Sequence, residues 1–445
     1  MNRNLLTLLF LGVFLGALDI AIIGPAKIPV QEALKIGERS WPWVINIYIL
    51  MNLVSTPLMA KFSDLLGRRW IYVSCVSLFG IGSLVVILSN SFEVFIVGRA
   101  IQGFGAGGIF PVASAVIGDV IPREKQGSAL GMIGMVFGLA FMVGPPLGGL
   151  LLNLSWHWLF IVNLPLSIIV IIWAIKVVPS NRTADKIHFD WRGMIMLISS
   201  LVLFALSVTH IDTKNVVASI LSPNIWPFLL TAFLLTPIFF WWQNKVEHPV
   251  INPRLLRSRR LILVYLLAIG AGLGQLQVMY LPGIAKEAFG FDNSHASYAV
   301  IPLLLALLIG APLSGKLLDK FGAKSIILTG TILLSAGLFG IWLFSTTRIG
   351  FYTSEVLLGL GMAALVGAPL RYIMNTETHI DDRASGQSMI TLFTSTGQIG
   401  GAAMLGAIIA SLGGGSVAFK GAFQTLAFLS LALITFAIIL KPRKI

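Results

Sequence analysis

Charged side chains are sparse in this sequence: Asp, Glu, Lys and Arg make up 11% of its 445 residues, while 56% are apolar. A water-soluble domain carries about 25% charged residues, because an aqueous surface needs them. Lipid is the solvent that this composition fits. Cysteine is all but absent. The single Cys75 lies inside an apolar run, which excludes an internal disulfide and a cysteine-ligated metal centre. The 6 histidines sit near run ends or in loops without ligand spacing, so no metal or other cofactor is expected. No Gly-x-x-x-x-Gly-Lys-Ser/Thr loop occurs, which argues against drive by ATP. The serines form no nucleophile constellation, which argues against an enzyme. Acids are fewer than bases, 18 against 31, for a net charge of +13. That excess does not point to nucleic acid, because the Lys and Arg lie in short loops with no basic helix or aromatic-basic patch.

What is abundant is long apolar sequence. A helix needs about 20 residues to cross hydrocarbon, and about fourteen runs of that size follow one another. The first is Leu5–Pro25 and the last Phe419–Leu440. The seventh and eighth, Trp191–Thr209 and Ile225–Trp242, are the weakest; without them the chain reads as about twelve helices with a re-entrant or interfacial insert. Met1–Phe10 has the charge and apolarity of a signal peptide but no small-residue cleavage site, and Asp19 interrupts its continuation. A retained first helix is expected. With the N-terminus in the cytoplasm, about 23 Lys and Arg fall inside and about 7 outside, and Arg99 remains within a helix. This asymmetry predicts a multi-pass protein of the plasma (inner) membrane with both termini cytoplasmic.

The chain also repeats itself. Ala60-Lys-Phe-Ser-Asp64-Leu-Leu-Gly67-Arg68-Arg69 recurs as Ser314-Gly-Lys-Leu-Leu-Asp319-Lys-Phe-Gly322-Ala-Lys324. Gly103-Phe-Gly105 matches Gly359-Leu360-Gly361, and Arg123–Ser128 resembles Arg383–Ser388. Two six-helix repeats related by an axis along the membrane normal are therefore expected. The predicted division is a bundle over 1–178, an inserted helix pair with its linkers over 179–260, and a second bundle over 261–445.

Buried charge marks function in a membrane, where it is expensive. Asp19 lies about 9 Å below the outer end of the first helix, and Arg99 about 10 Å below the same surface on the fourth. The two are expected at one depth. They are read as a carboxylate poised to load and release a proton, or else as a structural ion pair. Glu355 holds in the second repeat roughly the place of Arg99 in the first. It is read as a second proton site, a cation-recognition carboxylate, or an interfacial residue reaching water. Arg371, in Pro369-Leu-Arg371-Tyr372, contacts a lipid phosphate or a gate, or snorkels.

Asp64–Arg69 resembles the signature loop of the major facilitator superfamily, with Ala60 in place of the usual leading glycine. That resemblance implies a gating latch at Asp64, Gly67, Arg68 and Arg69, with Asp319 and Gly322 as second-repeat counterparts; positive-inside anchoring is the simpler reading of the arginines. Gly98-Arg99-Ala-Ile-Gln102-Gly103 resembles the same superfamily's fourth-helix motif. Gly134-Met-Val-Phe-Gly138 followed by Gly144-Pro145-Pro146-Leu-Gly148-Gly149 resembles the fifth-helix motif of its exporters, where a hinge or seal is implied and ordinary close packing is the alternative. Leu18-Asp19 through Gly24-Pro25, Trp156–Pro165, Phe189–Gly193 and His248–Arg257 are similar to segments of its fourteen-helix drug/proton antiporter branch, although the usual Asn and Ala-Leu-Pro read Gly24-Pro25-Ala-Lys-Ile-Pro29 here; the tryptophans also suit interfacial belts.

The resemblance implies an all-α polytopic membrane protein with the major facilitator fold: two six-helix repeats plus two inserted helices. It implies a proton-coupled antiporter for multidrug efflux, exporting hydrophobic or amphipathic small molecules from a cavity between the repeats. Gln102, Arg371 and Tyr372 are cavity candidates. The expected partners are a small hydrophobic or lipid-like substrate, protons and membrane lipid, and a monomer is expected. Two alternatives stay open: export or flipping of lipids on the same fold, and a non-transporting membrane sensor or assembly factor.

Overall fold

The computed structural model describes residues 3–441 apart from 24–25, 37–40, 181–189, 210, 212–214, 248, 292–295, 297 and 413–414. The Gly24-Pro25 end of the first run, Phe189, His248 and the loop bases Arg39, Arg182, Lys186, Lys214, Arg443 and Lys444 lie outside the described residues, as does the side chain of Pro145. No strand occurs among the described residues. The long helices are α1 (Arg3–Ile22), α2 (Trp41–Leu66), α3 (Arg68–Ile87), α4 (Phe92–Val120), α5 (Arg123–Leu152), α6 (Asn163–Val177), α7 (Trp191–Thr209), α8 (Trp226–Gln243), α9 (Arg259–Phe289), α10 (Ile301–Phe321), α11 (Ala323–Phe344), α12 (Arg348–Val366), α13 (Arg383–Ser411) and α14 (Gly415–Ile439). Short helices Trp158–Ile161, Arg254–Arg257 and Ala368–Glu377 precede α6, precede α9 and follow α12.

Among the described residues 11 helices are long and apolar enough to cross a membrane, and 12 with the bent α9 counted as one span. The chain is a multi-pass membrane protein. The two expected runs outside that set are α7, whose apolar part is Trp191–Phe204, and α13. The bend in α9 measures 42° between Gln275 and Tyr280. Pro282 lies just beyond it and has no N–H for the carbonyl four residues back.

The chain packs as two compact units. The first comprises Met1–Pro122, Val136–Asp190 and Thr378–Ser388; the second comprises Arg123–Met135, Trp191–Glu377 and Met389–Ile445. These limits differ from the predicted division: α7 and α8 fall within the second unit, and α5 and α13 each begin in one unit and continue in the other. In the first unit α4 packs between α2 and α3, and in the second α12 packs between α10 and α11. Backbone presses on backbone at both places. A Cβ on Gly105 would stand 2.5 Å from the Phe79 nitrogen, and one on Gly361 2.7 Å from the Leu334 Cα. Such contacts replace the hydrophobic drive that lipid cannot supply. The reversals that feed these layers are matched too. Gly67 joins α2 to α3 at φ 97, and Gly322 joins α10 to α11 at φ 78. Both lie in the left-handed region that side chains with a Cβ avoid.

Candidate functional site

Four elements of the first unit converge on one carboxylate. Asp19 sits one turn from the end of α1, where its neighbours Leu18, Ala21 and Ile22 are all buried. It is itself 0% exposed. Arg99 on α4 is 1% exposed, and its Nη1 donates to Asp19 Oδ2 at 2.5 Å. Gln102 lies one turn further along α4 and donates from Nε2 to Asp19 Oδ1 at 3.1 Å. Asn163, at the start of α6, donates to the same oxygen at 3.1 Å. Ser83 on α3 braces the ring, accepting from Gln102 at 2.7 Å and from Asn163 at 3.3 Å. Arg99 also donates to Gln102 Oε1 at 2.9 Å and to the Val44 carbonyl at 3.2 Å, and its guanidinium stacks 4.6 Å from the Tyr48 ring. A carboxylate and a guanidinium taken out of water each cost several kcal/mol unless paired and hydrogen-bonded. Here three donors meet the two acid oxygens.

The depth expectation for Asp19 and Arg99 thus corresponds to a direct ion pair. Gln102, expected as a cavity residue, belongs to that pair's hydrogen-bond ring. Asn163, Ser83 and Tyr48 were missed. Their signal was present as polar residues inside apolar runs, but nothing in one dimension says which of many such residues share a depth and a face.

Glu355 in the second unit is the opposite case. It is 0% exposed, and neither carboxyl oxygen has a hydrogen-bond partner among the described residues. It lies between Phe351, which packs edge-on against Phe289 of α9 at 5.5 Å, and Met362, whose sulfur accepts from Gln277 of α9 at 3.4 Å. Its burial excludes the interfacial reading. Arg371 is also buried, in the helix after α12, and donates to Thr391 Oγ1 at 3.3 Å. Tyr372 beside it is half-buried.

The signature loop builds a second cluster in the first unit. Asp64 accepts from Arg68 and, through its other oxygen, from the Ser385 backbone N–H at 2.9 Å and the Ser385 hydroxyl at 2.6 Å. Arg68 donates onward to Asp119 at 2.9 Å and to the Ile380 carbonyl at 3.2 Å. Asp119 takes a second guanidinium, Arg383, at 2.9 Å. Asp64 therefore sits at the N-terminus of α13, where unsatisfied N–H groups and the helix dipole favour an anion. Asp319 meets the second turn of α5 in the second unit. It accepts from the Gly127 and Ser128 N–H groups at 2.9 and 3.0 Å and from the Ser128 hydroxyl. Arg69 stands apart from the acid and donates to the Val178 carbonyl at 2.6 Å, closing the end of α6. The linking role of Asp119 was not foreseen, because an acid at a helix end reads as ordinary interface.

The glycine-rich stretch divides along α5. A Cβ on Gly134 would lie 3.1 Å from the Gly367 Cα, at the break after α12. One on Gly144 would lie 2.6 Å from the Ala21 Cβ, two residues beyond Asp19. Gly138 and Gly148 are buried, while Gly149 is exposed and a Cβ built on it would meet nothing within 4 Å.

Known proteins resemble this chain over most of its length. The family model described as Major Facilitator Superfamily matches residues 9–375 and 262–444. The uncharacterized MFS-type transporter YfiU of Bacillus subtilis (strain 168) is 33% identical over 378 residues, 83% of this chain and 73% of that protein. The multidrug transporter protein MdtP of the same organism is 28% identical over 414 residues, 91% of this chain and 75% of that protein. Among solved structures, the human organic anion transporter MFSD10 (TETRAN) superposes with a TM-score of 0.70 at 16% identity, covering 98% of this chain and 99% of that one. The proton:xylose symporter XylE gives a TM-score of 0.69 at 13% identity over 99% and 96% of the two chains; at such identities both describe the fold alone. The all-helical packing, the paired clusters and the family match together lead to one conclusion: the chain belongs to the Major Facilitator Superfamily, as a membrane transporter and not an enzyme.

Proposed function

We propose that this transporter is a proton-driven antiporter of the fourteen-helix drug/proton branch, exporting hydrophobic or amphipathic small molecules across the plasma (inner) membrane by alternating access, with both termini in the cytoplasm. The observation that carries this reading is the buried ring around Asp19. A carboxylate held by one guanidinium and two amides has no need of water while charged. It gains a use for a proton when helix movement withdraws Arg99. Multidrug relatives support the substrate class, and α7 and α13, taken as spans, complete the fourteen.

Glu355 supplies the complementary state. An ionised carboxyl without donors in a low-dielectric interior is costly, so Glu355 is read as carrying its proton in this conformation. The Asp64 and Asp319 clusters act as latches on the first turn of α13 and the second turn of α5. Breaking either frees a helix that runs from one unit into the other.

The test uses right-side-out membrane vesicles with an imposed inward proton gradient and two cargoes, a cationic dye preloaded in the lumen and a labelled phospholipid in the inner leaflet. Dye efflux that needs the gradient, and that Asp19→Asn abolishes when compared at equal amounts of folded protein, is expected. Normal gradient-driven efflux by Asp19→Asn removes Asp19 from coupling. Movement of the phospholipid but not the dye overturns the substrate class.

A further inference from the structure

The inserted helices α7 and α8 take no part in the clusters above, and α8 is mostly uncovered by protein. Its exposed residues include Leu230 at 47%, Leu234 at 53%, Ile238 at 46% and Trp241 at 57%. The spacing of four, four and three places them on one face, along a stripe of about 16 Å. That is close to one leaflet of a hydrocarbon core about 30 Å thick.

Three cations from separate elements gather at the end of this stripe. Arg192, at the start of α7, holds its guanidinium 5.7 Å from the Trp242 ring. Lys245, just past α8, holds its ammonium 3.7 Å from the Trp241 ring. Arg257, at the end of the short helix before α9, donates to Asn244 Oδ1 at 2.7 Å. All three side chains are exposed, yet each is tied to the last turn of α8 or the residues that close it. The connecting loop is pinned beneath them: the Ile251 N–H donates to buried Gln243 at 3.1 Å, and Val250, Ile251 and Leu255 are buried. Among the described residues no carboxylate pairs with Arg192, Lys245 or Arg257. The neighbouring Arg260 differs, being paired with Glu377 at 2.5 Å.

We propose that this corner binds the phosphate headgroup of an anionic phospholipid, with an acyl chain along the Leu230–Trp241 stripe. A guanidinium carries five donors in a fork that matches phosphate oxygens, and Arg257 uses one of them on Asn244. Tryptophan at this level is where an amphipathic ring lies between headgroup and chain. Free phosphate shares the headgroup chemistry, but it has no use for the apolar stripe. The stripe therefore decides for the lipid. The inserted pair is thus a lipid-anchored wing of the second unit, and this reading does not depend on which solute is transported.

The test is native mass spectrometry and thermal unfolding of the full chain in detergent with added dioleoyl-phosphatidylglycerol, dioleoyl-phosphatidylcholine or inorganic phosphate. The triple variant Arg192→Gln, Lys245→Gln, Arg257→Gln is compared with wild type. Each basic residue near an anionic surface contributes about fivefold in affinity, so the triple variant should bind phosphatidylglycerol about a hundredfold more weakly. Lys245→Gln alone should lose about fivefold, which serves if the triple variant fails to fold. Phosphatidylcholine and inorganic phosphate should not compete. Unchanged phosphatidylglycerol binding by the variants overturns the proposal. Equal binding of phosphatidylcholine overturns the choice of an anionic lipid. Displacement by inorganic phosphate reduces the corner to a free-anion site.

Discussion

Replacing Asp19 by Asn changes one atom type at the centre of the buried ring and leaves its volume intact. The Arg99 guanidinium, 1% exposed, then has no counter-charge. Asn offers one acceptor oxygen where Gln102, Asn163 and Arg99 present three donors, and its own amide faces them as a fourth. Breaking a buried pair by removing one partner costs about 3–5 kcal/mol, much of it the stranded charge. Removing both charges is often neutral. The double variant Asp19→Asn, Arg99→Gln should therefore recover stability to within about 1–2 kcal/mol of wild type by equilibrium unfolding in mixed micelles. Stability and transport then separate. Both variants should lack gradient-driven efflux, because neither keeps the Asp19 carboxylate that couples to the proton, and Glu355 alone does not replace it. A double variant that regains both stability and proton-driven efflux refutes the coupling role and leaves a structural ion pair.

Three further outcomes follow from the same geometry. Glu355→Gln should change folding stability by no more than about 1 kcal/mol while flattening the pH dependence of efflux; a loss above about 3 kcal/mol would mean that the carboxylate is a paired anion. Asp64→Ala should speed hydrogen exchange at the Ser385 amide, and Asp319→Ala at the Gly127 and Ser128 amides, since each acid accepts from those N–H groups; unchanged protection would sink the latch assignment. Gly67→Ala and Gly322→Ala should each cost about 1–2 kcal/mol because their φ values are positive, whereas Gly149→Ala, with open space around it, should be close to neutral in the same unfolding assay.

The sequence by itself determined that the chain lives in lipid, because so few charges cannot cover a surface in water. It also determined the duplicated loops, whose positive-φ glycines fall at matched reversals. The meeting of Asp19 and Arg99 was legible from depth, because a fixed rise per residue turns position along a helix into height in the membrane. Tertiary structure alone decided which face each residue takes and which helix it meets. Asn163 joins Asp19 across 144 positions, Arg68 and Arg383 share Asp119, and Arg69 turns away to Val178. Glu355, which holds in the second repeat roughly the place of Arg99 in the first, has no hydrogen-bond donor facing it among the described residues. In hydrocarbon every helix face is apolar whether it meets lipid or protein, so hydrophobic patterning does not point inward. Small residues and the rare polar ones choose the contacts, and their choice appears only once the helices are packed.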